Sequence, residues 1–193
     1  MKEIELKILN VDGAKLRRGL RKLGARRLFP PVLVREVFLE QAGVPVEGRG
    51  YSSFRLRSVG KTCELTVKVR KTDKRYSVHD EFEVNVSGFE ETLKLLTVLG
   101  FQVFRRREKV REEWKLGGVK VEIDEYPKML PYMEIEGRSR EAVGRFLKSL
   151  GMSAEHATNA TATEIMRGAG LDPDNLVFKK TPPTRARTAA PSL

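Results

Sequence analysis

The sequence predicts an α+β fold in which β-strands with one apolar and one charged face are covered by amphipathic helices. Several segments alternate strictly, beginning with residues 1–10, where Glu3, Glu5 and Lys7 alternate with apolar residues. Three other segments carry apolar residues at helical spacing and end at a Leu-Gly pair. The charged face is also poor in Ser, Thr and Gln, which normally dilute a sheet face that meets water.

The elements follow in an order that turn and cap residues mark. Helices are predicted where the apolar spacing is helical and a glycine follows, at residues 12–23, 87–99 and 139–150. Pro30-Pro31 is expected to break the chain before an extended segment. Strands are predicted at residues 1–10, 32–41, 119–125 and 132–137, with three more within 51–86. A long strand or a pair of strands is predicted from Phe101 to a hairpin turn at Gly117-Gly118. These elements form one domain over 1–167, and the Pro-, Thr-, Ala- and Arg-rich residues 168–193 are predicted to be a disordered tail.

The charged face of the strands carries both signs. Its members are Arg55, Arg57, Glu64, Lys68, Glu81, Glu83, Lys109, Arg111, Lys120, Glu122, Asp124, Glu134 and Glu136. Alternation alone fits either a sandwich with an apolar core or a barrel with a charged interior. The amphipathic helices, which need an apolar sheet face to cover, and the density of charge favour the barrel. Such an interior can neutralise itself when empty and still bind a polyanion chelated by a metal ion.

Composition narrows the class of protein. With 193 residues and 40% hydrophobic content, the chain can bury one core, and its net charge of +11 favours polyanionic partners. The single cysteine excludes an internal disulfide, and no apolar run has the length of a membrane span or a signal peptide core. A cytoplasmic protein is therefore expected. His79 and His156 lack partners at zinc-ligand spacing, and no Walker or dinucleotide loop is present.

An ordered set of charged pairs resembles the signature of a known family. The set begins with Glu3-x-Glu5-x-Lys7 and continues with Arg55-x-Arg57, Lys68, Glu81-x-Glu83, Lys109-x-Arg111, Asp124 and Glu134-x-Glu136. It resembles the signature of the CYTH domain, the triphosphate tunnel metalloenzymes, over residues 1 to about 166. This superfamily includes class IV adenylyl cyclases, thiamine triphosphatases and inorganic triphosphatases.

The resemblance implies a closed, antiparallel, eight-stranded β-barrel with a charged lumen, helices packed outside and a triphosphate bound inside. It implies Mg²⁺ or Mn²⁺ ligands at Glu3, Glu5, Asp124, Glu134 and Glu136. It implies binding of the substrate phosphates by Lys7, Arg55, Arg57, Lys68, Lys109 and Arg111. The residues that it implies for catalysis are Glu3, Glu5, Lys7, Asp124 and Glu136.

Three functions remain open. The leading hypothesis is metal-dependent hydrolysis of a triphosphate, in which a water activated by the metal attacks the terminal phosphorus. The second is class IV adenylyl cyclase chemistry, which forms cyclic AMP and pyrophosphate from ATP. The third is a non-catalytic module that binds polyphosphate or RNA. The expected partner is a small molecule with a triphosphate; nucleic acid is less favoured, a membrane is not expected, and a homodimer is left open.

Overall fold

The protein has an α+β fold, shown by a computed structural model that describes residues 4–44, 50–71, 78–180 and 182. The main strands are Ile4–Ile8 (β1), Arg26–Gln41 (β2), Ser53–Val59 (β3), Thr62–Lys71 (β4), Val78–Val86 (β5), Phe101–Leu116 (β6), Val119–Glu125 (β7) and Tyr132–Gly137 (β8). Two short strands are Ala157–Thr158 (β9) and Asn175–Leu176 (β10). The α-helices are Gly13–Lys22 (α1), Phe89–Val98 (α2), Arg140–Ser149 (α3) and Ala162–Gly168 (α4).

The contacts divide the described residues into two compact units. The first takes its residues from 1–33, 109–172 and 178–193, and the second from 34–108 and 173–177. The longest α-helices in the described part of the chain have ten residues. None of them combines the length and the hydropathy that a bilayer crossing requires.

In the first unit, antiparallel strands place charged residues on one face and apolar residues on the other. The strands pair in the order β6-β7-β8-β1-β9, and Glu122 on β7 stands opposite Glu134 on β8. The alternate residues of β7 and β8, including Val121 and Ile135, are buried in a core with side chains of α1 and α3. The predicted covering of the apolar sheet face by helices is therefore confirmed in this unit.

The second unit repeats this arrangement with its own core. Its strands pair in the order β5-β4-β3-β2, all antiparallel. Phe54 and Leu56 on β3 pack with Phe89 and Leu96 of α2. The charged residues of β3 and β4 alternate with these apolar residues along the strands.

The hydrogen-bonded order of the whole sheet is β5-β4-β3-β2-β6-β7-β8-β1-β9, with β10 added to β6. This confirms a large antiparallel sheet. Its end strands, β5 and β9, are not paired with each other among the described residues, so the sheet is not closed there. Closure into an eight-stranded barrel therefore stays a prediction.

The boundaries of α1, α2 and α3 lie within two residues of the predicted ones, whereas α4 was not predicted. Asp12 and Ser139 cap α1 and α3 by accepting hydrogen bonds from the backbone N–H groups of Lys15 and Ala142. The N-cap of α2 is Gly88, one residue after the predicted start of this helix at residue 87, and it makes no side-chain cap hydrogen bond. The proline pair does not break the chain, because β2 begins at Arg26 and runs through it.

Residues 173–177 belong to the folded second unit and not to a disordered tail. Residues Asn175 and Leu176 pair in parallel with β6. Arg107 Nε donates to the carbonyl oxygen of Pro173 at 2.7 Å, and Arg105 Nε donates to Asp174 Oδ1 at 2.6 Å. The tail prediction fails for this segment because these contacts are long-range and leave no local sequence signal. Residues 181 and 183–193 lie outside the described residues.

We expect Leu176→Ala to lower the free energy of unfolding by about 2 kcal/mol, the low end for a buried leucine, since this terminal segment can detach locally. Leu176 is 4% exposed, whereas the adjacent Val177 is 42% exposed. Val177→Ala is therefore the matched control, with an expected change below about 0.5 kcal/mol. Urea denaturation of both variants measures the difference, and equal effects would show that the segment is not packed as described.

Candidate functional site

Three carboxylates meet on the charged face of the first unit. Glu122 and Asp124 extend from β7, and Glu134 extends from the neighbouring β8. Each offers an oxygen that lies within 4.8 Å of the oxygens of the other two. Asp124 is fully buried and Glu122 is 8% exposed. Alternation brings Glu122 and Asp124 to one face, and the antiparallel register brings Glu134 beside them.

Buried cations hold these carboxylates together. Arg111 donates from Nε and Nη2 to the two oxygens of Asp124 at 2.7 and 2.6 Å. Its other contacts are Nη1 to Glu122 Oε2 at 2.6 Å and Nη2 to Glu134 Oε2 at 2.9 Å. Lys109 Nζ lies 2.9 Å from Asp124 Oδ2. One guanidinium therefore bridges three carboxylates on two strands.

Lys7 joins the cluster from β1. Its Nζ lies 3.1 Å from Glu134 Oε1 and also pairs with Glu5. The antiparallel register places Lys7 directly opposite Glu134. Burial by itself would lower the pKa of Lys7. The nearby carboxylates of Glu134 and Glu5 have the larger combined effect, so the pKa of Lys7 is raised.

The three carboxyl groups differ in their titration. Burial raises the pKa of Glu122 to about 7, and the nearby charge of Asp124 adds to this against the opposing effect of Arg111. Burial by itself would also raise the pKa of Asp124. The charges of Arg111 and Lys109 have the larger effect and hold the pKa of Asp124 well below the usual range of an aspartate. The same cations lower the pKa of Glu134, although its burial and the charge of Asp124 oppose them. Near neutral pH, Glu122 is thus the carboxyl that exchanges its proton.

A small cavity opens beside this cluster. It has a volume of about 30 Å³ and is lined by Glu5, Lys120, Glu122, Glu134 and Glu136. Lys120 Nζ lies 2.9 Å from Glu136 Oε2 and 3.4 Å from Glu122 Oε1. The volume is close to that of one water molecule in the liquid, so the cavity has room for one small ion or water.

The donor set fits a hard divalent cation. Every candidate ligand is a carboxylate oxygen, the ligand type that Mg²⁺ and Mn²⁺ prefer, and no thiol or imidazole joins the described cluster. The cavity-lining carboxylates of Glu5 and Glu136 are more exposed, at 54% and 30% of their side-chain surface. They can therefore rotate toward an ion without leaving a buried charge unpaired.

We expect the affinity for Mn²⁺ to rise about tenfold between pH 6 and pH 8, since a metal ligand must be deprotonated and the pKa of Glu122 is about 7. Below pH 7 the Glu122 proton competes with the metal, and above it this competition ends. Calorimetric titration at several pH values in two buffers measures both affinity and proton release. Glu122→Gln should flatten the pH dependence, and an affinity in the native protein that is constant over this range would contradict the prediction.

The second unit holds a separate group of charged side chains. Arg57 Nη2 lies 2.7 Å from Glu64 Oε1, and Arg55 Nη1 lies 3.2 Å from Glu36 Oε1. Lys68 Nζ lies 3.0 Å from Glu81 Oε2. The Nε atoms of Arg55 and Arg57 are buried without a hydrogen-bond partner among the described residues. Two buried donors of a charged group are thus available to an anion.

The structure places the predicted site residues in two groups, one in each unit. The first unit brings together Glu5, Lys7, Lys109, Arg111, Asp124, Glu134 and Glu136. The second unit contains Arg55, Arg57 and Lys68. Glu3 lies outside the described residues. Lys120 and Glu64 received no predicted role, although both lie on the alternating charged face that marks the other members.

The family comparison bears on this geometry directly. The CYTH domain matches residues 1–159 of the chain. The chain belongs to the CYTH family. The CYTH match spans β1 to β9, and so includes both groups of charged residues. A search of curated proteins finds no match.

Solved structures show the same fold. An adenylate cyclase candidate from Vibrio parahaemolyticus superposes with a TM-score of 0.69 at 15% identity, covering 86% of this chain and 97% of its own. A Pyrococcus horikoshii protein superposes with a TM-score of 0.65 at 24% identity, and the match covers 84% of this chain and 98% of the other. A Hippeastrum protein superposes with a TM-score of 0.60 at 20% identity, and the match covers 89% of this chain and 97% of the other. That protein is described as an adenylyl cyclase candidate with a dominant triphosphatase activity. At these identities the likeness supports the CYTH fold alone.

Proposed function

We propose that the protein hydrolyses a triphosphate compound in a reaction that requires Mg²⁺ or Mn²⁺. The observation that supports this most is the cluster of Glu122, Asp124 and Glu134, bridged by Arg111 beside a cavity of ion size. A pure phosphate binder gains nothing from buried carboxylates, which repel anions unless a cation lies between. We also propose that the sheet closes into the eight-stranded tunnel that the family resemblance implies.

The carboxylates are proposed to hold the metal. Glu122, Asp124 and Glu134 are its candidate ligands, with Glu5 and Glu136 at the same cavity. Glu3 is retained as a ligand and catalytic residue on the sequence resemblance alone. When bound, the metal neutralises charge on the phosphates and activates a water for attack. The family relationship and the all-oxygen donor set support Mg²⁺ or Mn²⁺ over a softer ion.

The cations are proposed to bind the phosphates. Lys7, Lys109 and Arg111 neutralise carboxylates in the free protein and can exchange those partners for phosphate oxygens when a metal takes the carboxylates. Arg55 and Arg57 offer their buried Nε donors, and Lys68 adds a third cation in the second unit.

The chain's residues would act by positioning and by charge. Glu5 and Glu136, the more exposed carboxylates of the cavity, accept hydrogen bonds from the attacking water and so orient it. Lys7 and Arg111 stabilise negative charge on the transferred phosphoryl group. The bond from the water oxygen to the terminal phosphorus forms as the bond to the bridging oxygen breaks. That oxygen leaves with the rest of the substrate, and a proton of the water passes by way of the carboxylates of Glu5 and Glu136 to solvent. These roles need no covalent nucleophile.

Product analysis tests the proposal. Purified protein is incubated with tripolyphosphate and with ATP, each with Mg²⁺, Mn²⁺ or EDTA, and orthophosphate, pyrophosphate and cyclic AMP are resolved. Metal-dependent orthophosphate release that Glu136→Gln abolishes is the expected result, with Glu125→Gln as the exposed control. Cyclic AMP with pyrophosphate would replace the proposal by cyclase chemistry. No product with any metal, together with salt-sensitive and metal-independent RNA binding, would overturn it in favour of a binding module.

A further inference from the structure

A second, larger depression lies next to the acidic cavity of the first unit and shares two lining residues with it. It has a volume of about 650 Å³ and lies at the turn between β6 and β7 and the end of β8. Lys120 and Glu136 line both this depression and the acidic cavity. We call it the β6–β7 groove. A ligand at the acidic cavity and a ligand in the groove would therefore meet the same two side chains, and a chain of linked phosphates that passes this ion pair would reach both.

The charges of the β6–β7 groove suit an anion. Lys115 and Arg138 are exposed in its lining and have no ion-pair partner in the described part of the chain. Lys120 is the third cation, and Glu113 and Glu136 are the two carboxylates. Lys120 is paired with Glu136, so these two charges largely cancel. Lys115 and Arg138 then give the groove its preference for an anion, and the negative charge of Glu113 reduces this preference in part.

The described lining of the groove offers no aromatic surface to a nucleobase. Among the described residues that form the groove no side chain is aromatic, and Leu28 is the single large apolar one. Stacking on an aromatic side chain strengthens the binding of a base, and the described lining of the groove lacks this contribution. Gly117 and Gly118 instead expose backbone at the turn, and no heavy atom lies within 4 Å of where their Cβ atoms would stand. A phosphate group can approach such backbone closely.

We propose that the β6–β7 groove binds the phosphate groups of a linear polyphosphate that extend beyond those at the carboxylate cluster. Lys115 and Arg138 are then specificity-determining residues, and the preferred substrate is an inorganic polyphosphate longer than three phosphates, ahead of nucleoside triphosphates. This inference rests on the proposed function in one respect, since it requires the carboxylate cluster to be a phosphate site.

Steady-state kinetics at fixed ionic strength test the groove. We expect the native protein to have a higher kcat/KM for a long-chain polyphosphate than for tripolyphosphate or ATP. The Lys115→Ala/Arg138→Ala double variant should raise the KM for the long chain about tenfold, as expected for two exposed charge contacts, and the KM for tripolyphosphate by less than about threefold. Arg145→Ala/Lys148→Ala, which removes two exposed charges from α3, controls for net charge and should change neither.

The outcomes separate this inference from the proposed function. If phosphate is released but ATP is preferred, or if the double variant affects both polyphosphates equally, the groove assignment is wrong and the hydrolase proposal stands. If no phosphate is released, calorimetric titration with the long-chain polyphosphate in EDTA tests binding in the groove independently of hydrolysis. Binding that the Lys115→Ala/Arg138→Ala variant weakens about tenfold more than the α3 variant supports it, and equal binding overturns it.

Discussion

Asp124→Asn is expected to lower kcat at least about 100-fold, the effect of removing one preorganised electrostatic group from an active site. Asp124 is fully buried, and its two oxygens accept hydrogen bonds from Arg111 and Lys109. Asparagine preserves the shape but removes the charge. It also replaces one acceptor oxygen by a donor that would face a cation. The cluster therefore loses both a proposed metal ligand and the group that orients Arg111.

The same substitution should destabilise the fold by about 3 kcal/mol, because it leaves Lys109 and part of Arg111 as buried charge with less compensation. The lowered pKa of Asp124 adds a pH signature. Its charge stabilises the fold above the unfolded-state pKa near 3.8, and this contribution is lost as the pH falls further. Urea denaturation between pH 3 and pH 8 should thus show less acid sensitivity in the variant.

Glu125→Gln provides the matched control for Asp124→Asn. It removes one carboxylate from the next residue, which is exposed and lies outside the cluster. Phosphate release and unfolding should both be close to those of the native protein. If Asp124→Asn retained native stability and turnover, the charge network would not be the organising element of the site.

Arg111→Met is expected to lower the free energy of unfolding by about 3 to 5 kcal/mol in EDTA, the cost of removing one partner from a buried ion pair. Arg111 touches all three carboxylates, those of Glu122, Asp124 and Glu134. Without it, three carboxylates remain close together, and Lys7, Lys109 and Lys120 relieve their mutual repulsion only in part. Methionine has a similar length, so the change in packing is small.

Mn²⁺ should restore part of this stability, and more in Arg111→Met than in the native protein. A ligand stabilises the folded state according to its concentration over its dissociation constant, and the variant no longer has a guanidinium competing for the carboxylates. Turnover should still fall at least about 100-fold, since the variant lacks the buried cation that we propose binds the phosphate. Thermal unfolding with and without Mn²⁺ measures the effect. Arg145→Met on α3 is the control, and equal stabilisation of both variants by Mn²⁺ would contradict a metal site at the three carboxylates.

Much of the site can be predicted from the sequence because a β-strand has a period of two. The spacing of Glu134 and Glu136, or of Lys109 and Arg111, is enough to put each pair on one face of its strand. Lys120 shows the limit of this reasoning. It lies on the same charged face, but only the register of β7 against β8 places its Nζ between Glu122 and Glu136.

The sequence by itself determined the alternating charged faces, the apolar stripes of the helices and the caps at Asp12 and Ser139, since each depends on neighbours a few residues away. The tertiary structure alone decided which charges meet. Arg111 reaches carboxylates 11 to 23 positions later through antiparallel pairing, and burial then separates the pKa values of Glu122 and Asp124. It also placed residues 173–177 beside β6. Strand register and burial are properties of long-range packing, which local spacing does not encode.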